Sequence, residues 1–160
     1  MQRPQHDLFT AVVGSLLDEG IAVRFRAGGR SMSPTVRDGE YLIVTPIDPA
    51  GVVVGDIVLC ETRRGPLAHR VVAIESQSDG SPRFTLCGDA SRDFDRPVAP
   101  PQVRGKITGV ERRGRLVSLA IAGGRLGRFA LMSALRLRRS ILAVRARGPV
   151  AALVPAATPR

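Results

Sequence analysis

The sequence predicts a mainly β domain with one leading amphipathic helix and a basic C-terminal extension. Three observations carry that expectation. Short apolar stretches between residues 21 and 121 alternate with period two, the mark of half-buried strands. Turn signals rich in Gly and Pro separate them every ~8–12 residues, and the chain holds 17 Gly and 12 Pro in 160 residues. Only one stretch ahead of them has helical spacing. Aromatics make up 4% of the chain and Trp is absent, so the core must be built from Val, Leu and Ile.

The elements follow in order. In DLFTAVVGSLLDE (7–19), Leu8, Val12 and Leu16 share a helical stripe, with Phe9, Val13 and Leu17 beside it. Asp7 is placed to cap this helix and Gly20 to end it. IAVRFRA sets Ile21, Val23 and Phe25 against Ala22, Arg24 and Arg26, which predicts a first strand. Gly28-Gly29 and RSMSPT form a turn, RDGE a second turn, and EYLIVTPI a second strand. After DPAG, VVVGDIVLCET is a third strand interrupted at Gly55-Asp56. RRGP joins it to a fourth, LAHRVVAIE, in which His69 alternates with Leu67, Val71 and Ala73 on one face. PRFTLCGD is a fifth strand, ASRDFDRPVAPPQ a loop, and VRGKITGVERRGRLVSLAI two short strands about RRGR. The domain is expected over 1–120, with an Arg-rich extension over 121–160. Residues 125–147 have helical potential, but arginines interrupt both of their apolar arcs.

The net charge of +10 is unevenly placed. Residues 1–111 carry 13 Lys and Arg against all 14 acids, whereas residues 112–160 carry 11 Arg and no acid. The basicity therefore reads as a property of the tail, which would draw it to an anionic membrane surface. Nucleic acid is the weaker expectation, because aromatic stacking partners are scarce. No stretch reaches the ~18 apolar residues of a spanning helix, and MQRPQHDLF has no signal-peptide apolar region. The expected location is cytoplasmic or peripheral on the membrane. Cys60 and Cys87 form no disulfide framework and no zinc motif; buried packing is their expected role. His6 and His69 are too scattered for a metal site, and no cofactor is expected.

The chemistry-bearing candidates begin at GGRSMSPT (28–35). Serine is a weak nucleophile until a base takes its proton, and a tight glycine turn can aim backbone N–H groups at a developing oxyanion. His69 is the one histidine inside the strand-rich region, and an imidazole is the natural general base near neutral pH. A third group that orients the imidazole completes such a site, and the loop GDASRDFD offers Asp89, Asp93 and Asp95.

In this order the segments resemble a known family of serine peptidases, which groups type I signal peptidases with the self-cleaving LexA and UmuD-type proteins. The matching segments are GRSMSPT, VRDGEYLIV, VGDIVLCE, AHRVVAIE, FTLCGDASRDFD and VRGKITGV, over about residues 20–111. The resemblance implies a compact signal-peptidase/LexA-like β-fold and acyl transfer to serine. It makes Ser31, directly before the methionine, the nucleophile and leaves Ser33 a neighbour. Bacterial signal peptidases and LexA-like proteins place a lysine base where this chain has His69. Histidine there is similar to the archaeal and endoplasmic-reticulum signal peptidases, whose triad is completed by an aspartate after the GD pair. That makes Asp95 the first choice, Asp89 a supporting acid and Asp93 a lesser candidate. The chain departs from the pattern at Gly29, where many signal peptidases carry a serine that helps the oxyanion hole. The Ser31 N–H is then the expected donor. The implied partner is a peptide or protein substrate. Alternative readings are a LexA/UmuD-type self-cleaving regulator and a non-catalytic peptide-binding module on the same scaffold. Self-cleavage is disfavoured by the positions of Ala27-Gly28 and Cys87-Gly88, the first too close to Ser31 and the second inside the GD motif. A binding module would be favoured by a Ser31 and a His69 held out of reach of each other.

Overall fold

The computed structural model describes residues 3–119, with side chains from residue 8. It is mainly β: one helix, α1 (Arg3–Asp18), and seven strands, β1 (Val23–Arg26), β2 (Tyr41–Thr45), β3 (Ile57–Thr62), β4 (Gly65–Ser76), β5 (Pro82–Cys87), β6 (Val103–Arg112) and β7 (Arg115–Ser118). All pair antiparallel in one sheet of order β1-β2-β6-β3-β4-β5, with β7 also on β6. The expected fold class is thus found. The expected Arg-rich extension over residues 121–160 lies outside the described residues.

Three local expectations are corrected. The helix begins at Arg3, so Asp7 lies inside it and does not cap it. Pro4 explains the earlier start: its fixed φ suits a first turn, where a missing N–H costs nothing. The helix ends as expected, with Gly20 at φ 82°. Ile21 N–H reaches Leu16 O (2.9 Å) and Gly20 N–H reaches Leu17 O (3.0 Å), the paired bonds that satisfy a helix's last carbonyls. The third strand starts at Ile57, not at Val52, because a 3-10 turn at Pro49–Gly51 and Gly55 at φ 100° come first. In β4 the alternation from Leu67 through His69 stops at Val71. A register shift against β5 between Val71 and Ala73 takes Ala73 out of it.

The core occupies both faces of β3. Ile57 and Leu59 join Val13 and Leu17 of α1, Leu42, Val44 and Ile107 in one cluster. Val58 and Cys60 join Val71, Phe84, Leu86 and Val98 in the other. A strand buried on both faces loses its polar alternation, which is why residues 57–60 read IVLC. Gly105 lets β6 close on β2, since a Cβ there would meet Val44 Cγ1 at 2.7 Å and Thr45 O at 2.9 Å.

The charge map is also corrected. Arg112, Arg113 and Arg115 belong to the β6–β7 hairpin rather than to the tail. Arg113 (φ 52°) and Gly114 (φ 72°) make its two-residue turn with positive φ at both positions. Arg112 pairs with Glu40 and, chiefly by that hydrogen bond, holds the Glu40 carboxyl below its ordinary range.

Candidate active site

Ser31 projects from the turn between β1 and β2. The base of this turn is closed by Ala27 N–H to Glu40 O (2.7 Å) and Gly39 N–H to Ala27 O (2.9 Å). Met32 and Val36 are buried in the core on either side of the SPT sequence, and Val36 N–H bonds Met32 O (3.0 Å). Anchored at these two apolar points, the turn presents Ser31 at the surface. Arg112 reaches in from β6 and donates to Thr35 O (3.1 Å). From the opposite side, Ala90 N–H donates to Ser31 O (2.7 Å). Gly88 allows this approach, because a Cβ there would lie 2.6 Å from Ser31 O and 3.0 Å from Ser31 Cβ.

His69 lies on β4, paired with Val58 of β3 and 5% exposed. Its Nε2 is 2.8 Å from Ser31 Oγ and its Nδ1 is 2.5 Å from Asp95 Oδ2. An ionised carboxylate only accepts, so Nδ1 carries the proton in this arrangement. Nε2 then turns a lone pair to the Ser31 hydroxyl, the tautomer a general base requires. Asp95 is held by its own N–H to Leu86 O (2.9 Å) and keeps its side chain 29% exposed. Ser31, His69 and Asp95, far apart in the sequence, therefore meet in one hydrogen-bonded line. The separation of Ser31 from His69 that would favour a binding module is not observed.

The other two acids stand elsewhere. Asp89 is buried and takes a two-pronged bond from Arg70, Nε to Oδ1 at 2.8 Å and Nη2 to Oδ2 at 2.7 Å. The Thr35 hydroxyl also donates to Asp89 Oδ2 (2.5 Å), and Arg70 Nη1 donates to Gly55 O (2.7 Å). Asp89 thus ties the serine turn to β4 without touching His69, a supporting position. Asp93 is exposed, and its carbonyl accepts from the Cys87 thiol.

Sequence reasoning did not single out Arg70, Thr35, Asp38 or Lys106. Arg70 had a legible signal: an arginine in the apolar run AHRVV must find a partner if the strand is buried. Gly29 has φ 92° and its N–H donates to Asp38 Oδ1 (2.9 Å). A side chain at 29 would be strained, and the amide at 29 is already committed. The Ser31 N–H donates to no acceptor among the described residues. Lys106 is the chain's single lysine. It pairs with Val58 in the same cross-strand row as His69, but its ammonium is bound to buried Asp56 (2.8 Å), not to Ser31.

Beside Ser31 lies a cavity of about 130 Å³, lined mainly by apolar side chains that include Phe25, Met32, Leu42, Leu59 and Leu67. β5 pairs with β4 only from Arg70 to Ser76, so the β4 edge from Gly65 to His69 has no strand on that side among the described residues. Neither cysteine is in a disulfide, and both are buried. Burial pushes the Cys60 thiol up to about 12, and the Asp95 charge adds to the shift. At pH 8 only about one Cys60 thiol in 10⁴ is then ionised. Native protein at that pH is expected to leave Cys60 unlabelled by iodoacetamide in peptide mass spectra, while urea-unfolded protein labels it fully. Rapid labelling in the native state would contradict this placement.

No side-chain cluster placed to hold a metal ion is found among the described residues. None of the described helices is long and apolar enough to cross a membrane. The chain matches no family model and no curated protein.

Proposed function

We propose that the protein is a serine endopeptidase related to signal peptidase, cleaving a leader or small peptide. The observation that carries this reading is the Ser31–His69–Asp95 line, with 2.8 Å between Oγ and Nε2 and 2.5 Å between Nδ1 and Oδ2. Ser31 Oγ attacks the scissile carbonyl carbon while its proton passes to His69 Nε2. Asp95 stabilises the resulting imidazolium. The Nε2 proton then goes to the leaving amine as the C–N bond breaks, and the acyl group stays on Oγ. Water, deprotonated by the same nitrogen, hydrolyses the ester and frees the acid. The Ser31 N–H faces the developing oxyanion. With the Gly29 amide spent on Asp38, a second donor is missing at that position, and one such donor is worth ~10²–10³ in rate.

The substrate chain lies as an added strand along the open β4 edge between Gly65 and His69, where backbone bonds fix its register. A small apolar side chain fills the cavity beside Ser31. Self-processing fits the geometry less well. Ala27-Gly28 lines that cavity as part of the serine turn, and Cys87-Gly88 is buried. The eight arginines after residue 119 add an anionic membrane surface as a second partner, at ~1 kcal/mol for each arginine near the headgroups.

The direct test is a peptide library incubated with purified full-length protein and read by mass spectrometry. Cuts after small residues such as Ala or Ser are expected. A library left intact over a range of pH and lipid additions would remove the peptidase reading.

A further inference from the structure

The geometry points to Cys87 as a positioning residue that sets where the Asp95 carboxylate stands against His69. This rests on the Ser31–His69–Asp95 reading and adds a residue that neither the resemblance nor the candidate triad includes.

Asp95 lies in the loop that leaves β5, and Arg92, Asp93 and Phe94 immediately before it are exposed. A carboxylate at the end of such a segment needs ties on both sides to meet an imidazole at 2.5 Å. On the far side, Val98 and Phe84 exchange backbone bonds of 2.9 and 3.0 Å. At Asp95 itself the backbone N–H holds Leu86 O. Ahead of it, two residues away, the Cys87 thiol donates to Asp93 O at 3.0 Å, a short approach for a sulfur donor; Gly88 O is farther, at 3.5 Å. Cys87 is fully buried and sits opposite Arg70, the neighbour of His69, in the β4–β5 register. The thiol therefore grips the middle of the loop from a fixed point of the sheet beside the base. Losing the S–H would free the Asp93 carbonyl from that point and let the following carboxylate drift from Nδ1. Serine keeps a donor at the same place, whereas alanine does not.

The test uses full-length Cys87→Ala and Cys87→Ser, with two readouts. The first is the far-downfield proton resonance of His69 Nδ1–H, which reports a short bond to a carboxylate and is assigned by its loss in Asp95→Asn. The second is kcat and KM on a cleaved library peptide. Cys87→Ala is expected to move that resonance upfield and to lower kcat about ten-fold with KM within about two-fold, as for a small misplacement of a catalytic group. Cys87→Ser is expected to keep both near the parent values. A parent-like resonance in Cys87→Ala overturns the proposal, as does a Cys87→Ser protein as impaired as Cys87→Ala, which would make side-chain packing the cause. Should Cys87→Ala fail to fold, Cys87→Val supplies a variant of similar bulk without a donor, judged by the same criteria. The resonance requires no substrate. A protein that cleaves nothing would sink the peptidase reading while the spectra still decide the role of Cys87.

Discussion

Ser31→Ala is expected to fold as the parent does and to lose peptide cleavage by about 10⁴–10⁶ in kcat, the scale on which serine peptidases lose activity without their nucleophile. Ser31 is exposed at the tip of its turn, and the burial that holds the turn belongs to Met32 and Val36. The thermal midpoint should therefore stay within about 2 °C, as for a surface substitution of at most ~0.5 kcal/mol. His69→Ala should lose as much, and the double variant little more, because the two groups act as one unit. Asp95→Asn separates orientation from charge. An Asn amide can donate to Nδ1, which moves the imidazole proton to Nε2 and removes the acceptor that Ser31 Oγ needs. A loss of about 10⁴ in kcat follows from the wrong tautomer alone. Initial rates on one cleaved peptide, with circular dichroism to confirm folding, check all four variants. Undiminished cleavage by purified Ser31→Ala would show that another group is the nucleophile.

The strand pattern was legible because period-two alternation and glycine turns are local properties. It failed where a non-local contact or a turn overrode it. Val52 to Val54 have the composition of a strand, yet the Pro49–Gly51 turn and the bonds between Gly55, Asp56 and Val71 hold them apart from β3. The helix start was missed because Asp7 is a better cap by composition than anything before it, while Pro4 permits an earlier first turn. Ser31, His69 and Asp95 were singled out through the order of segments and a resemblance, not through any local signal. Three aspartates within seven residues look alike in sequence. What separates them in space is how the loop wraps the end of β5. Asp89 meets Arg70, the Asp93 carbonyl meets Cys87, and Asp95 comes round to His69. No spacing rule encodes that, since each partner lies on a strand brought alongside by the sheet. Gly29 shows the same limit. Its departure from the family pattern was visible, but the capture of its N–H by Asp38 across the turn was not.

The largest stability effect is expected at Asp89. Its carboxylate and the Arg70 guanidinium are 1% and 3% exposed as side chains. Asp89→Ala would leave a buried cation with Gly55 O as its remaining hydrogen-bond acceptor, and breaking one side of such a pair costs about 3–5 kcal/mol. Against a total of ~5–15 kcal/mol for a small domain, that is a large share. A fall of about 10–20 °C in the thermal midpoint follows. Keeping both charges out of the core should behave differently. Arg70→Met combined with Asp89→Leu removes the desolvation penalty along with the attraction, so its stability should return to within about 2 kcal/mol of the parent. Activity should not return with it, because Thr35 would have lost the acceptor that ties the serine turn to β4. The pair of variants thus separates two roles that a single substitution confounds. Urea unfolding measures the first role, and kcat on a cleaved peptide measures the second. Parent-like kcat in the stable double variant would mean that the turn is positioned by Arg112, Ala90 and its own buried residues without help from Asp89. A double variant that is stable and at least ten-fold slower would place the buried ion pair among the groups that aim Ser31 at His69.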